Sequence, residues 1–443
     1  MTPWLRKPVV AWALYDWGNS AFATTVMAGF FPVFFSFLSE DQSDAEAQFW
    51  FSFTLAASSA VIALTAPVLG AIADRGGSRK RFLAAFAGLG AVMAAGLAWV
   101  QAGQWQLGLL LYGLGTVGFA GANVFYDSMI MDVAQEGEYD VVSAFGYALG
   151  YVGGGLLFAV NALMVSQPTV FGLADAGAAV KWSFISVGAW WALFTLPLLV
   201  GVREAPTPHR ARRLAAVREG LAQLRDTLGE LRRLRVLALF LLAYFLYMDG
   251  VNTVIKSAVF FGDRILGLDS KLLLIALLVT QFVAFPAALA FGWLGGRIGP
   301  KRAILLGLAV YVAAVVYAWG VLEDSRDFFV LAIAVGLVQG GVQSLSRSLY
   351  ARFIPPSKTA EFFGFFNMVG KFATLLGPML MAGVPLAVAG ATERDGILAL
   401  SLLFVAGGLL LWRVNVPAGE VAARALDADR PTEARPAARA EKK

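Results

Sequence analysis

Six ionisable residues interrupt long apolar runs of this sequence: Asp16, Asp127, Asp249, Lys256, Arg347 and Lys371. An ionised group at the centre of a membrane helix costs about 2.5–3.5 kcal/mol. All of them facing lipid would cost on the order of 15–20 kcal/mol, more than the stability of a typical fold. They must pair, line a wet cavity or lose their charge. Three are acids and three are bases, so complete pairing is open to them.

Polar neighbours accompany these groups at helical spacing. Asp16 runs with Asn19 and Ser20, and Asp127 with Asn123 and Tyr126. Asp249 runs with Asn252, Thr253 and Lys256, and Arg347 with Gln339, Gln343 and Ser346. Offsets of three, four and seven place each set on one helix face. A rise of about 1.5 Å per residue gives depths. Asp16, Asp127 and Arg347 fall in one half of the membrane, and Asn123, Asp249, Gln339, Gln343 and Lys371 near its middle. Lys256 falls toward the far side. The middle group, with Tyr126, Asn252 and Lys256, is expected to bind a small-molecule substrate, and the first group, with Asn19 and Asp249, to couple protons or gate it. Asp16 or Asp249 is the expected proton-coupling carboxylate, and Asp249 with Lys371 the expected functional pair. Structural roles stand as alternatives for Arg347, as an ion pair, and for Asp16, near the start of its helix. For Trp17 and Tyr126 packing is the stronger reading, with cavity lining the alternative.

The elements that carry these stripes are membrane spans. The chain has 443 residues, 58% hydrophobic and 15% charged, with a mean hydropathy of +0.69. Soluble domains carry about 25% charge. Runs long enough to cross a bilayer as helix fall at roughly 9–38, 49–73, 82–100, 107–133, 140–166, 181–202, 236–261, 271–292, 303–321, 328–353, 359–384 and 396–416. Lipid cannot satisfy open strands, so these are helices. The basic start, Met1 to Val10, has no small-residue cleavage site, and its apolar run holds Asp16, so it reads as a retained first span.

Loop charge orients the spans. Connections after even-numbered spans carry Arg75, Arg79, Lys80 and Arg81, nine arginines over 203–235, then Arg297, Lys301, Arg302, Arg352 and Lys358. The first opposite loop holds Glu40, Asp41, Asp44 and Glu46 without a base. The positive-inside rule predicts cytoplasmic termini, with the loop at Glu136, Glu138 and Asp140 as the exception. Expected units are an N-terminal bundle (1–202), a linker with an amphipathic helix (203–235), a C-terminal bundle (236–416) and a disordered tail (417–443). With no cysteine and a single histidine, His209, no thiolate or histidine metal site is expected, and no cofactor or metal. Nucleic acid is not an expected partner, because the basic residues sit in loops between spans.

A loop motif occurs twice. Gly70-Ala-Ile-Ala-Asp74-Arg75-Gly76-Gly77-Ser78-Arg79-Lys80-Arg81 follows the second span, and Gly292-Trp-Leu-Gly-Gly296-Arg297-Ile-Gly299-Pro300-Lys301-Arg302 follows the eighth. The pattern resembles the loop signature of the major facilitator superfamily, on Gly70, Asp74, Arg75, Gly77 and Arg79. Ser78 and Gly296 depart from it, which implies a weaker second lock. Tyr15 to Phe22, Ser143 to Gly154 and Gln343 to Ser348 resemble the vacuole-effluxer branch of that superfamily. The resemblance implies an all-α membrane protein: twelve transmembrane helices as two pseudo-symmetric six-helix bundles, with spans 1, 4, 7 and 10 lining a central cavity. It also implies a fungal-type amino-acid effluxer and not an enzyme. The chain is expected to work as a monomer in the bacterial inner membrane, a secondary active transporter moving a small polar metabolite, with an amino acid as first choice. Proton coupling or uniport remain open, and a sugar or organic anion is the alternative substrate. A non-transporting receptor or assembly factor is the alternative of another class.

Two further matches carry no chemistry. Gly113-Leu-Gly115-Thr-Val-Gly118 copies a dinucleotide fingerprint inside a span, without the strand it requires. Gly370-Lys371 copies the end of a phosphate loop, but Phe372 replaces the hydroxyl residue.

Overall fold

A computed structural model describes residues 3–204, 229, 234–264 and 266–428. Among them, twelve helices are long and apolar enough to cross a bilayer. The first six are α1 (Lys7–Leu38), α2 (Ala45–Gly76), α3 (Arg79–Trp99), α4 (Trp105–Val133), α5 (Tyr139–Ser166) and α6 (Ala176–Gly201). The second six are α7 (Arg235–Ala258), α8 (Lys271–Ile298), α9 (Pro300–Gly320), α10 (Ser325–Ala351), α11 (Pro356–Ala387) and α12 (Glu393–Arg413). The amphipathic linker helix expected over 203–235 lies largely outside the described residues.

The tail expected to be disordered instead begins as a helix, α13 (Val416–Ala428). Val416, Ala422, Ala423 and Leu426 recur at helical spacing and give it an apolar face that packs on the bundle. Its Gly419 lies against Phe353 and Val236. The average polarity of the tail hid this stripe.

Loop charge also builds the helix ends. At the end where the even-numbered helices start, acidic and hydroxyl side chains cap free N–H groups. Ser43 and Glu46 form a capping box on α2, and Asp175 accepts from Ala178 N at 2.8 Å on α6. Asp269, Asp324 and the Thr392–Asp395 box do the same for α8, α10 and α12. At the other end, here called the basic end, lysines meet helix C-termini. Lys80 Nζ donates to Leu199 O and Val202 O at 2.7 Å, closing α6. Lys301 Nζ repeats this on α12 through Trp412 O and Val414 O. The two copies of the loop motif thus perform one task in each half. Acids at helix starts and bases at helix ends also oppose the helix dipoles.

The halves meet along α2 with the first part of α11, and along α5 with α8 and α10. The α2–α11 crossing depends on glycine from both sides. A Cβ on Gly364 would lie 2.7 Å from backbone atoms of Ala66 and Pro67, and one on Gly70 would strike the Ala360 carbonyl.

Helix α11 is broken at mid-membrane. Its first part ends at Phe372 and its second begins at Leu376. The freed backbone groups need partners, since lipid offers none. Asp249 on α7 accepts from Leu375 N (3.1 Å) and Leu376 N (2.8 Å) with one oxygen, and from Gly377 N (2.8 Å) with the other. Asn252 Nδ2 donates to Ala373 O at 2.8 Å. Each buried N–H left without an acceptor costs about 1–3 kcal/mol. Asp249→Ala should therefore lower the thermal unfolding temperature in detergent far more than Lys371→Ala, with Asp249→Asn in between. Equal melting of the alanine variants would contradict this capping role.

Candidate functional site

The seam between the halves contains a buried polar plug. Arg347 on α10, 1% exposed, sends Nη1 to Asp127 Oδ1 on α4 at 2.9 Å. Its Nε donates to Ser143 Oγ and its Nη2 to Ser143 O on α5, both at 2.9 Å. Ser143 Oγ then donates to Ser344 O at 2.7 Å. Asn367 on α11 gives its amide to the second Asp127 oxygen at 3.1 Å. Four helices, two from each half, therefore share one ion pair. The guanidinium also lies over the rings of Tyr147 (4.5 Å), Trp12 (4.9 Å) and Tyr126 (5.3 Å). Such rings favour a desolvated cation by about 2 kcal/mol.

Closer to the basic end lies a second layer. Asp140 accepts from Ser348 and from Arg352 (2.8 Å), and Arg352 also reaches Glu420 of α13 at 3.5 Å. Arg6 pairs with Glu138, and Arg424 of α13 with Glu136 at 3.3 Å. The acidic loop that broke the charge rule is thus matched by bases from elsewhere. In the motif, Asp74 accepts from Ala360 N (3.1 Å) and Glu361 N (2.9 Å), capping α11 across the seam. Arg79 bonds Thr359 Oγ1 at 2.7 Å and Asp132 at 3.0 Å. Gly70 allows the close crossing, Gly77 ends α2 at φ 55°, and Arg75 is exposed. Gly296 in the second copy cannot cap, and no side chain caps the start of α5.

These layers close the basic end. Beyond the plug the second part of α11 (Leu376–Ala387) packs mainly on α12 and less on α7 of its own half, while α5 and α8 keep the halves in contact where Gly155 meets Gln281.

The other predicted residues divide. Asp16, half-buried, is held by Tyr126 Oη at 3.2 Å, and among the described residues it has no cation within 4.0 Å. Asn19 Nδ2 donates to Asn123 Oδ1 at 2.6 Å, which locks α1 to α4. Gln343 accepts from Tyr151 Oη across the seam at 3.1 Å. Lys256 is exposed and Lys371 half-buried, both farther from the basic end than the plug. Three expectations need correcting. Asp249, 0% exposed, accepts backbone N–H groups of α11 and makes no bond to Lys371, so the expected Asp249–Lys371 pair is not formed. Tyr126 is buried, stacked 4.5 Å from Trp12, and does not line open space. Gln339 lines an apolar cavity inside the second half, with Phe261, Phe328 and Met381. The prediction also omitted Ser143, Tyr147 and Asn367. Asn367 had a readable signal, standing one helical turn before Lys371.

Two six-helix halves meeting at a polar seam define a transporter of the major facilitator type. Residues 5–424 match the family described as vacuole effluxer Atg22 like, and the chain belongs to that family. It is 37% identical over 409 residues to the uncharacterized MFS-type transporter YxiO of Bacillus subtilis, covering 90% of this chain and 93% of that one. It is 27% identical over 307 residues to autophagy-related protein 22 of Pyricularia oryzae, where the match spans 63% of this chain and only 44% of the fungal protein. In fold it is similar to the human organic anion transporter MFSD10 (TM-score 0.71, 18% identity, 92% and 99% of the two chains). It is likewise similar to the proton:xylose symporter XylE (TM-score 0.68, 15% identity, 92% and 94%).

Removing one partner of a buried ion pair costs about 3–5 kcal/mol. Arg347→Gln should therefore loosen the closed end. Ala144→Cys, buried where α5 meets α8, should react with a thiol reagent at least tenfold faster when Arg347→Gln is added. Unchanged reactivity would show that the plug does not hold the seam.

Proposed function

We propose that this chain carries a small polar metabolite across the membrane by alternating access, with the plug as the gate on one side. The observation that carries this reading is the Asp127–Arg347 bond, which joins the two halves and must break for the basic end to open. Positive-inside charge makes the basic end cytoplasmic. Both termini then face the cytoplasm of a bacterial cell, and the cleft that alternating access requires between the halves opens outward, on the other side of the plug.

Asp16 is the group proposed to couple protons. It stands at the plug, bonded to the Tyr126 hydroxyl that stacks beside Arg347, and it has no cation of its own. Opening the gate would release Arg347 from Asp127 and leave Asp16 as the nearest alternative acid on α1. Proton binding to Asp16 would then bias which acid holds the arginine. An amino acid is the metabolite implied by family resemblance, and the cleft supplies amide groups and cations to receive a carboxylate.

In proteoliposomes, Asp16→Asn should abolish uptake driven by a pH gradient while sparing exchange of internal for external substrate. Retained coupling in this variant would remove Asp16 from the mechanism. Alternating access is read separately, by single cysteines along α1 and α7 in a chain that has no native cysteine. Their accessibility from the two sides should change reciprocally. A receptor or assembly factor would show one fixed pattern.

A further inference from the structure

Beyond the plug from the basic end, two membrane spans each carry a cation, Lys256 on α7 and Lys371 on α11. Asn367 points across the seam to Asp127, so Lys371, four residues later on the same helix, rises from the plug into the cleft. On α7, Asn252 faces the break in α11 through Ala373 O. Lys256, four residues later, projects from that face one turn nearer the open side, within reach of the charge on Lys371. Two like charges thus stand near one another at membrane depth.

Their natural counter-ion is already engaged. Asp249, seven residues before Lys256 on the same α7 face, is fully buried and accepts three backbone N–H groups, with the Thr253 hydroxyl at 3.4 Å. Among the described residues, no carboxylate oxygen lies within 4.0 Å of either lysine nitrogen. Asp127 is neutralised by Arg347. Ammonium groups are compact charges with three donors each and suit oxyanions. At this depth each unpaired cation would cost about 2.5–3.5 kcal/mol if it faced lipid, so a ligand of opposite sign is the economical occupant.

We infer that the substrate is a small organic anion whose oxyanion group, carboxylate or phosphate, is held by Lys256 and Lys371. This rests on the transport reading and narrows it: among amino acids, an acidic one fits and a neutral zwitterion does not.

Two measurements on the purified full chain test this. The first is thermal stabilisation by succinate, L-glutamate, glycerol 3-phosphate, L-leucine and glucose at millimolar concentration. At least one anion should stabilise, with Lys256→Gln and Lys371→Gln each weakening its binding at least tenfold and Lys371→Arg retaining part. Succinate against glycerol 3-phosphate separates carboxylate from phosphate. Equal or better stabilisation by leucine or glucose overturns the inference, as does stabilisation by none of the five. The second measurement needs no ligand and survives if Lys371→Gln fails to fold. A single cysteine placed by Thr374→Cys is modified by anionic and cationic methanethiosulfonate reagents. The anionic reagent should react faster, and Lys256→Gln should cut that preference several-fold. No preference, or one indifferent to Lys256→Gln, overturns the inference. If cysteines on α1 and α7 still switch sides while the anion tests fail, the carrier stands and only its substrate class is wrong.

Discussion

One constraint shapes the seam between the halves: a charge buried at membrane depth must be met by another group. The Asp127–Arg347 pair is where that constraint does most. It satisfies two buried charges, and it does so with one partner from each half. The same bond that makes the ions tolerable therefore closes the seam. Ser143 and Asn367 finish the remaining donors and acceptors, and three aromatic rings keep water away from the guanidinium. A pair satisfied only within one half could not act as a gate.

Acids elsewhere follow the same logic with backbone as the partner. Asp74 and Asp249 both cap parts of α11, one from across the seam and one from its own half. Helix α11 is thus fixed at two points. Its first part moves with α2 while the basic end is closed, and its second part stays with α7. The unwound Ala373–Leu375 segment between them is the place where relative motion of the halves would be absorbed, since it lacks the continuous hydrogen-bond ladder of a helix.

Much of the fold was legible in the sequence, because hydropathy and loop charge act over long stretches. Twelve spans, two halves and the duplicated loop needed only run length and the positions of Gly, Asp, Lys and Arg. The polar stripes also named the two partners of the plug. Which acid meets which base was not legible. Asp249 and Lys371 lie at similar depth, so pairing seemed natural. The break in α11 had a signal in Pro378, which cannot continue the ladder back to Thr374 and stands in the first turn of the second part. Only the structure shows that this break takes the carboxylate. Gln339 misled for a related reason: a helix face read from spacing does not say whether it looks into its own half or across to the other. Helix α13 was missed because its apolar stripe is mostly alanine and the tail around it is polar.

The central claim is that the Asp127–Arg347 bond holds the basic end shut and that opening there closes the other side. Spin labels placed by Arg81→Cys and Gly296→Cys report on the basic end, and a second pair by Gln101→Cys and Glu323→Cys on the opposite end. Pulsed dipolar spectroscopy in lipid nanodiscs should give one short distance for the first pair in the parent chain. Adding Arg347→Gln should introduce a longer population there and a shorter one at the opposite end, in matching proportion. Unchanged distributions at both ends, or a change at one end only, would contradict the account.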